Sequence, residues 1–225
     1  MRSFSNHRAA ASRGIASSGA WIATAIAALL LSPCCGNSQG AFTVTFDGPP
    51  LQPPSSDYTL HYYSESGVWF TAIPGTFGFG RMGSTPPAGW PDDGTSYVHA
   101  AVGDSLMFGL VDGSSFDPVS VDLAEYSDIV RDPETVHFVG YRQDGTVLTE
   151  DITTAGIFNG VAPVFQTFSF SPQFSGLVRV EIPYSLWSLD NLTLRHSVPE
   201  PGTGALVGIG TLLVGVHSLR RKRSG

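Results

Sequence analysis

Two stretches decide the fold: "PVSVDL", Pro118 to Leu123, and "VRVEI", Val178 to Ile182. In the first, Val119, Val121 and Leu123 alternate with Ser120 and Asp122. In the second, Val178, Val180 and Ile182 alternate with Arg179 and Glu181. Successive side chains of an extended chain point to opposite faces, so a period of two in apolar residues marks a half-buried strand. The same alternation occurs at Phe42, Val44 and Phe46, with Thr43 and Thr45 between them. Strand composition recurs at Tyr58–Tyr63, Val68–Ile73, Tyr97–Ala101, Leu106–Val111, Thr135–Arg142, Val147–Ile152, Val164–Phe170 and Leu189–Leu194.

That makes about eleven short runs, separated by turn signals such as "VDGSS" at Val111–Ser115 and "QDGT" at Gln143–Thr146. No segment between Ala41 and Ser197 keeps an apolar period of 3.6 over three turns. The expected fold is all-β, an antiparallel sandwich of jelly-roll type. One segment interrupts the spacing. Pro74 to Ser96, "PGTFGFGRMGSTPPAGWPDDGTS", holds six Gly and four Pro in 23 residues and reads as a long loop. Its Phe77, Phe79 and Trp90 either pack the loop onto the sandwich, the favoured outcome, or form a binding platform.

The formal charge of −7 conceals an asymmetry. From Ala41 to Ser197 there are 18 acidic side chains against five arginines and no lysine, a balance of −13. Such a domain repels phosphate backbones, which argues against nucleic-acid binding. It suits an exported protein, or one that meets divalent cations.

The remaining cations lie at the ends. Arg2, Arg8 and Arg13 precede the apolar run Ala20–Leu31, "AWIATAIAALLL", and Pro33 follows. Twelve residues are too few to span a bilayer and suit a secretory signal core; small residues at Ser38 and Gly40 place cleavage before Ala41. Residues 1–40 are therefore expected to be a signal peptide, with an uncleaved anchor as the alternative. Cys34 and Cys35 are the only cysteines. "LSPC" at Leu31–Cys34 has the outline of a lipoprotein box, although Pro33 stands where a small residue is needed. Cleavage after Gly40 leaves a mature chain without cysteine, hence without disulfides.

At the other end, Gly202 to Leu219 is 18 residues without a formal charge, ~27 Å as a helix, enough to cross a hydrocarbon core. Arg220, Arg221, Lys222 and Arg223 follow and hold residues 220–225 in the cytoplasm. The expected topology is an outside domain at 41–197, a transmembrane helix at 202–219 and a basic stub. Five glycines weaken the helix as a permanent anchor, and Gly204 with Gly208 forms a GxxxG pair. Just before the helix stand Val198, Pro199, Glu200 and Pro201. Two prolines keep this stretch extended and out of the helix. The order of "VPEP", glycine-rich apolar segment and arginine-rich end over 198–225 resembles the PEP-CTERM sorting signal. The resemblance implies an exosortase as partner, cutting near Pro199–Pro201, and release or transfer to the surface of a Gram-negative bacterium that makes extracellular polysaccharide. An ordinary tail anchor is the alternative.

Chemistry is harder to find in the middle of the chain. There is no HExxH, GxSxG or P-loop, and His61, His99, His137 and His196 show no metal-ligand spacing. No enzymatic activity is expected; the alternative is a glycan-active enzyme using paired carboxylates. Asp190 in "SLDNLTL" shares the parity of Leu192 and Leu194, which directs a carboxylate toward the core side, where it needs a partner. A structural calcium ion is one such partner, with Asp47 of "TFDGP" as a second ligand if a turn re-aims it; a backbone-capping role is the alternative. The bracketing by "FD" and "LDN" also resembles PEP-CTERM ectodomains and the calcium site of carbohydrate-binding jelly rolls. Tyr62, Trp69 and Trp90 are the candidate sugar-stacking residues, with ordinary core packing as the alternative. The expected function is an exported binding or structural protein of the envelope or exopolysaccharide matrix, with polysaccharide as partner. A permanently anchored envelope protein is the other possibility.

Overall fold

A computed structural model of the chain describes residues 40–157, 162–184 and 186–197. The sorting residues Val198 to Pro201 and Arg220 to Arg223, and both expected terminal helices, lie outside the described residues. Thirteen strands are present: β1 (Phe42–Val44), β2 (Asp57–Leu60), β3 (Tyr62–Glu65), β4 (Val68–Thr71), β5 (Phe79–Met82), β6 (Tyr97–Ala100), β7 (Leu106–Leu110), β8 (Phe116–Glu125), β9 (Thr135–Arg142), β10 (Val147–Thr153), β11 (Gln166–Ser169), β12 (Leu177–Ile182) and β13 (Trp187–His196). No helix among the described residues is long and apolar enough to cross a membrane.

All pairings are antiparallel, and they divide the strands into two sheets. Sheet 1 runs β2-β5-β6-β13-β8-β11, with β1 lying along the second half of β13. Sheet 2 runs β3-β4-β7-β12-β9-β10. A single bridge, Leu177 opposite Phe116, connects them. The fold is the expected all-β antiparallel sandwich. Its core is the layer between the sheets, with Val98, Val121, Leu123, Trp187, Leu189 and Leu192 from sheet 1 facing Val68, Phe70, Phe108, Phe138, Val180 and Ile182 from sheet 2. Each such side chain contributes ~1.5–3 kcal/mol on burial. Aromatic edges interlock the layer: Phe46 meets Phe70 at 5.0 Å and Phe138 meets Phe170 at 5.0 Å.

Three departures from the sequence pattern have local causes. The segment 74–96 is not one loop. It contains β5, a central strand of sheet 1, and all four prolines lie outside that strand. The run 58–63 breaks at His61, so that β2 joins sheet 1 and β3 joins sheet 2. Val119 and Val178 are only half-buried, because each strand shifts its parity once: Phe116 and Pro118, then Val121 and Leu123, face inward on β8, and Leu177, then Val180, on β12. Bulges of this kind bend a strand without ending it.

Candidate functional site

The outer face of sheet 2 is built by residues of opposite parity to the core. One cross-strand row reads Tyr62, Thr71, Met107, Glu181, Val139 and Thr149. The next row holds Ser64, Trp69 and Gly109, followed on the neighbouring strands by Arg179, Tyr141 and Val147. Two of the three aromatic candidates thus share a face, Tyr62 on β3 and Trp69 on β4. Tyr62 is 61% exposed. Trp69 is half-buried, and its ring leans from β4 across Gly109 of β7, where a Cβ would lie 2.8 Å from the indole. The indole N–H donates to the Leu110 carbonyl at 3.1 Å, so the ring is fixed and its polar atom satisfied.

Two to three strands further on, about 10–14 Å at the usual strand spacing, on β12 and β9, stands a group that the sequence pattern does not mark. The Arg179 guanidinium stacks on the Tyr141 ring at 4.0 Å, and the Tyr141 hydroxyl donates 2.9 Å to Glu181. Arg179 Nε approaches Glu181 Oε1 at 3.2 Å, an ion-pair contact whose angle is too poor for a hydrogen bond. The Glu181 hydrogen bond, then burial, raises the Tyr141 pKa. The residues in "VRVEI" and "VGYR" looked like ordinary outward positions; only the pairing of β12 with β9 reveals that they form one cluster.

Trp90 lies on the opposite side of the molecule. The strap of residues 83–96 folds over the outer face of sheet 1 and presses Trp90 against Tyr126 (4.6 Å) and His99 (5.1 Å). Phe79 enters the core, while Phe77 is 75% exposed. His99 Nε2–H donates to an Asp57 carboxylate oxygen at 3.0 Å, its ring passing over Gly80, where a Cβ would sit 2.1 Å from the ring. Ser188 is the cross-strand partner of His99. The imidazole leans toward β2, away from Ser188, so the three residues form no relay from hydroxyl to carboxylate.

The strap also reaches the two aspartates proposed for calcium. Asp190 is fully buried, but on the outer face of sheet 1 and not the core side. The reason is a bulge: Asn191 takes φ +47°, which breaks the parity between Asp190 and Leu192. Asn191 is held there by its side-chain amide donating 2.9 Å to Asp122 and its N–H donating 2.7 Å to Asp190. Asp47 is re-aimed by a similar device. Phe46 adopts φ +56°, and Arg81, buried at 4% exposure, donates to the carbonyls of Phe46 (2.8 Å), Asp47 (2.6 Å) and Pro49 (3.0 Å). Asp47 then accepts from Ser96 N at 3.2 Å. The neighbouring Thr95 hydroxyl lies 2.9 Å from Asp190 Oδ2 and also contacts Asp93. A hydroxyl has one hydrogen and cannot satisfy two carboxylates. Burial, with the nearby Asp93 charge adding to it, pushes the Asp190 carboxyl up to about 8. Oxygen donors of this kind fit a hard cation. Among the described residues, no group of three or more His, Cys, Asp or Glu side chains converges as a finished metal cage. The run "DDGTS" reads in the sequence as a turn; its role becomes visible only once it crosses β13.

Residues 197–223 match the PEP-CTERM protein-sorting motif. The chain therefore carries the sorting signal of an exported protein that an exosortase processes. No curated protein matches the chain. Solved structures that it resembles include a mutant of CBM29-2, a family 29 carbohydrate-binding module, at 9% identity over 72% of this chain and 99% of that one, with a TM-score of 0.33. Another comprises the CBM22-1 and GH10 modules of a xylanase from Clostridium thermocellum complexed with xylohexaose, at 15% identity over 71% of this chain and 28% of that one, TM-score 0.32. A third is the family 11 carbohydrate-binding module from Clostridium thermocellum in complex with a β-1,3-1,4-mixed-linked tetrasaccharide, at 11% identity, covering 72% and 99% of the two chains, TM-score 0.30.

Proposed function

We propose that the chain is a surface-sorted or matrix protein whose sandwich binds polysaccharide through the outer face of sheet 2. The signal peptide at 1–40 carries it across the inner membrane, residues 202–219 hold it there, and exosortase cutting near Pro199–Pro201 delivers it to the cell surface or the extracellular matrix. The observation that carries the binding reading is Trp69, held across Gly109 with its N–H satisfied and aligned with Tyr62, Tyr141 and Arg179 on an open sheet face. Flat aromatic surface next to neutral and charged hydrogen-bonding groups suits a sugar ring, which offers an apolar face and a hydroxyl rim. The test is a glycan array with the full chain in detergent. Binding to a polysaccharide, weakened at least tenfold by Trp69→Ala at unchanged melting temperature, is the expected result. Equal binding by wild type and variant defeats it.

A second reading concerns stability. Asp190 and Asp93 meet at one hydroxyl, beside Asp47, and a calcium ion there would replace the missing hydrogen and let both carboxylates stay ionised. Asp190, Asp93 and Thr95 would supply oxygen ligands, fixing the strap to β13, and Asp47 would join them only by turning from Ser96 N toward the ion. EDTA is then expected to lower the melting temperature of wild type and leave Asp190→Ala unmoved. No shift in wild type retires the ion.

A further inference from the structure

Trp90 is of one residue class with Tyr62 and Trp69, but it stands on the opposite face of the sandwich. Its surroundings form a second constellation. Trp90 packs edge-to-face on Tyr126 at 4.6 Å, both half-exposed, and beside them the Asp57 carboxylate is 43% exposed while its Oδ1 contacts His99 at 3.0 Å. The strap is fixed there by Asp128 N donating 2.7 Å to the Gly89 carbonyl. Beneath it lies an anomaly. Among the described residues, four buried polar side-chain atoms lack a hydrogen-bond partner, and three of them, Tyr97 Oη, His99 Nδ1 and Ser188 Oγ, belong to this face. The fourth, Arg179 Nε, belongs to the face already described. Buried donors and acceptors without partners are costly, so their confinement to these two faces requires a cause.

We infer that the outer face of sheet 1 is a second saccharide-binding site, formed by Trp90, Tyr126 and Asp57, with the buried His99 positioning Asp57 from behind, and that the molecule is a cross-linker of glycan chains. The inference rests on the proposed polysaccharide binding by sheet 2. The occupant is a neutral sugar chain. The charges that bear on Tyr126 are the carboxylates of Asp57 and Asp104, which repel an anionic ligand. Sugar hydroxyls donate to a carboxylate such as the exposed Asp57, and a sugar's apolar face suits the aromatic surface of Trp90 and Tyr126 beside it. The two sheets of a sandwich stack ~10 Å apart and their outer faces look in opposite directions. One straight chain cannot lie on both, so two occupied sites join two chains.

The experiment uses the full chain in detergent with three neutral soluble polysaccharides: mixed-linked β-glucan, xylan and mannan. Short oligosaccharides of whichever is bound give the stoichiometry by calorimetry, and the polymer itself gives cross-linking by light scattering. Wild type is expected to bind two oligosaccharides and to cross-link. Trp90→Ala and, independently, Tyr126→Ala are expected to bind one and lose cross-linking, with Trp69→Ala also binding one. A wild-type stoichiometry of one, abolished by Trp69→Ala and untouched by both sheet 1 variants, overturns the second site and leaves the first standing. A wild-type stoichiometry that Trp69→Ala leaves unchanged overturns the sheet 2 site and with it the cross-linker, and wild type that binds none of the three overturns the polysaccharide reading itself. Tyr126→Ala guards against a folding failure in Trp90→Ala, and melting curves identify either.

Discussion

Raising the pH of the metal-free protein tests the buried aspartate directly. The Asp190 carboxyl is pushed from the ordinary 3.8 up to about 8, first by burial and further by Asp93. Between those two values the folded state keeps a proton that the unfolded chain has released. Folding then binds more protons than unfolding, and stability falls as pH rises. Each pH unit costs about 1.4 kcal/mol, and the interval from 4 to 8 sums to ~5 kcal/mol as a ceiling, since opening of the strap relieves the strain earlier. Against a typical folding stability of ~5–15 kcal/mol, that is a large share. The assay is urea unfolding in EDTA at each pH from 4 to 8, for wild type and Asp190→Asn. The amide keeps the shape and cannot ionise. Asp117 moves the other way: burial opposes it, but Ser197, Gly176 and Arg195 outweigh burial and hold its carboxyl low. That contribution is common to both proteins and cancels in their difference. Wild type is expected to lose stability relative to Asp190→Asn as pH rises, and calcium is expected to remove the difference. Curves that stay parallel across the range refute the assignment of Asp190 as a protonated, buried acid.

Other perturbations probe the elements that place the two faces. Gly80→Ala puts a methyl 2.1 Å from the His99 ring and is expected to cost ~1–3 kcal/mol in urea unfolding, with loss of the Asp57 contact. Arg81→Met strands the carbonyls of Phe46, Asp47 and Pro49 and is expected to cost ~3–5 kcal/mol; a loss below about 1 kcal/mol would mean the turn at Phe46 holds itself. Mass spectrometry of the surface protein is expected to find no peptide that contains Arg220 to Arg223; an intact basic end there contradicts processing.

Ten of the thirteen strands were legible as separate runs, because a half-buried strand writes its parity into neighbouring residues. β9, Thr135–Arg142, falls where the alternation of Val136 and Phe138 puts it. β5 was hidden by composition. Its four residues, "FGRM", include a glycine required by the His99 ring and an arginine that solvates three carbonyls, and neither looks like a strand interior. The sites were less legible than the fold for the same reason. Tyr62 and Trp69 are seven residues apart and fall on one face by hairpin parity. Arg179 and Tyr141 are far apart in the chain and meet only because β12 pairs with β9. Parity in the sequence directs Asp190 to the core side, whereas the structure buries it on the outer face, since a single αL residue at Asn191 leaves no mark in hydrophobic periodicity.

The topology also determines how the sorting segment can be removed. β13 is the last strand in the sequence, yet it is interior to sheet 1, with β8 on one side and β6 and β1 on the other. The sheet is therefore incomplete until the residues next to the sorting motif have crossed the membrane. Ser197, where that motif begins, is held by its N–H donating 3.0 Å to Ser115 and by its hydroxyl on Asp117, which also takes Arg195 at 3.0 Å. A cut at Pro199–Pro201 falls outside this clamp and leaves every ladder hydrogen bond among the described residues in place. Phe42 pairs with Leu194, so the chain also enters at the end from which it leaves.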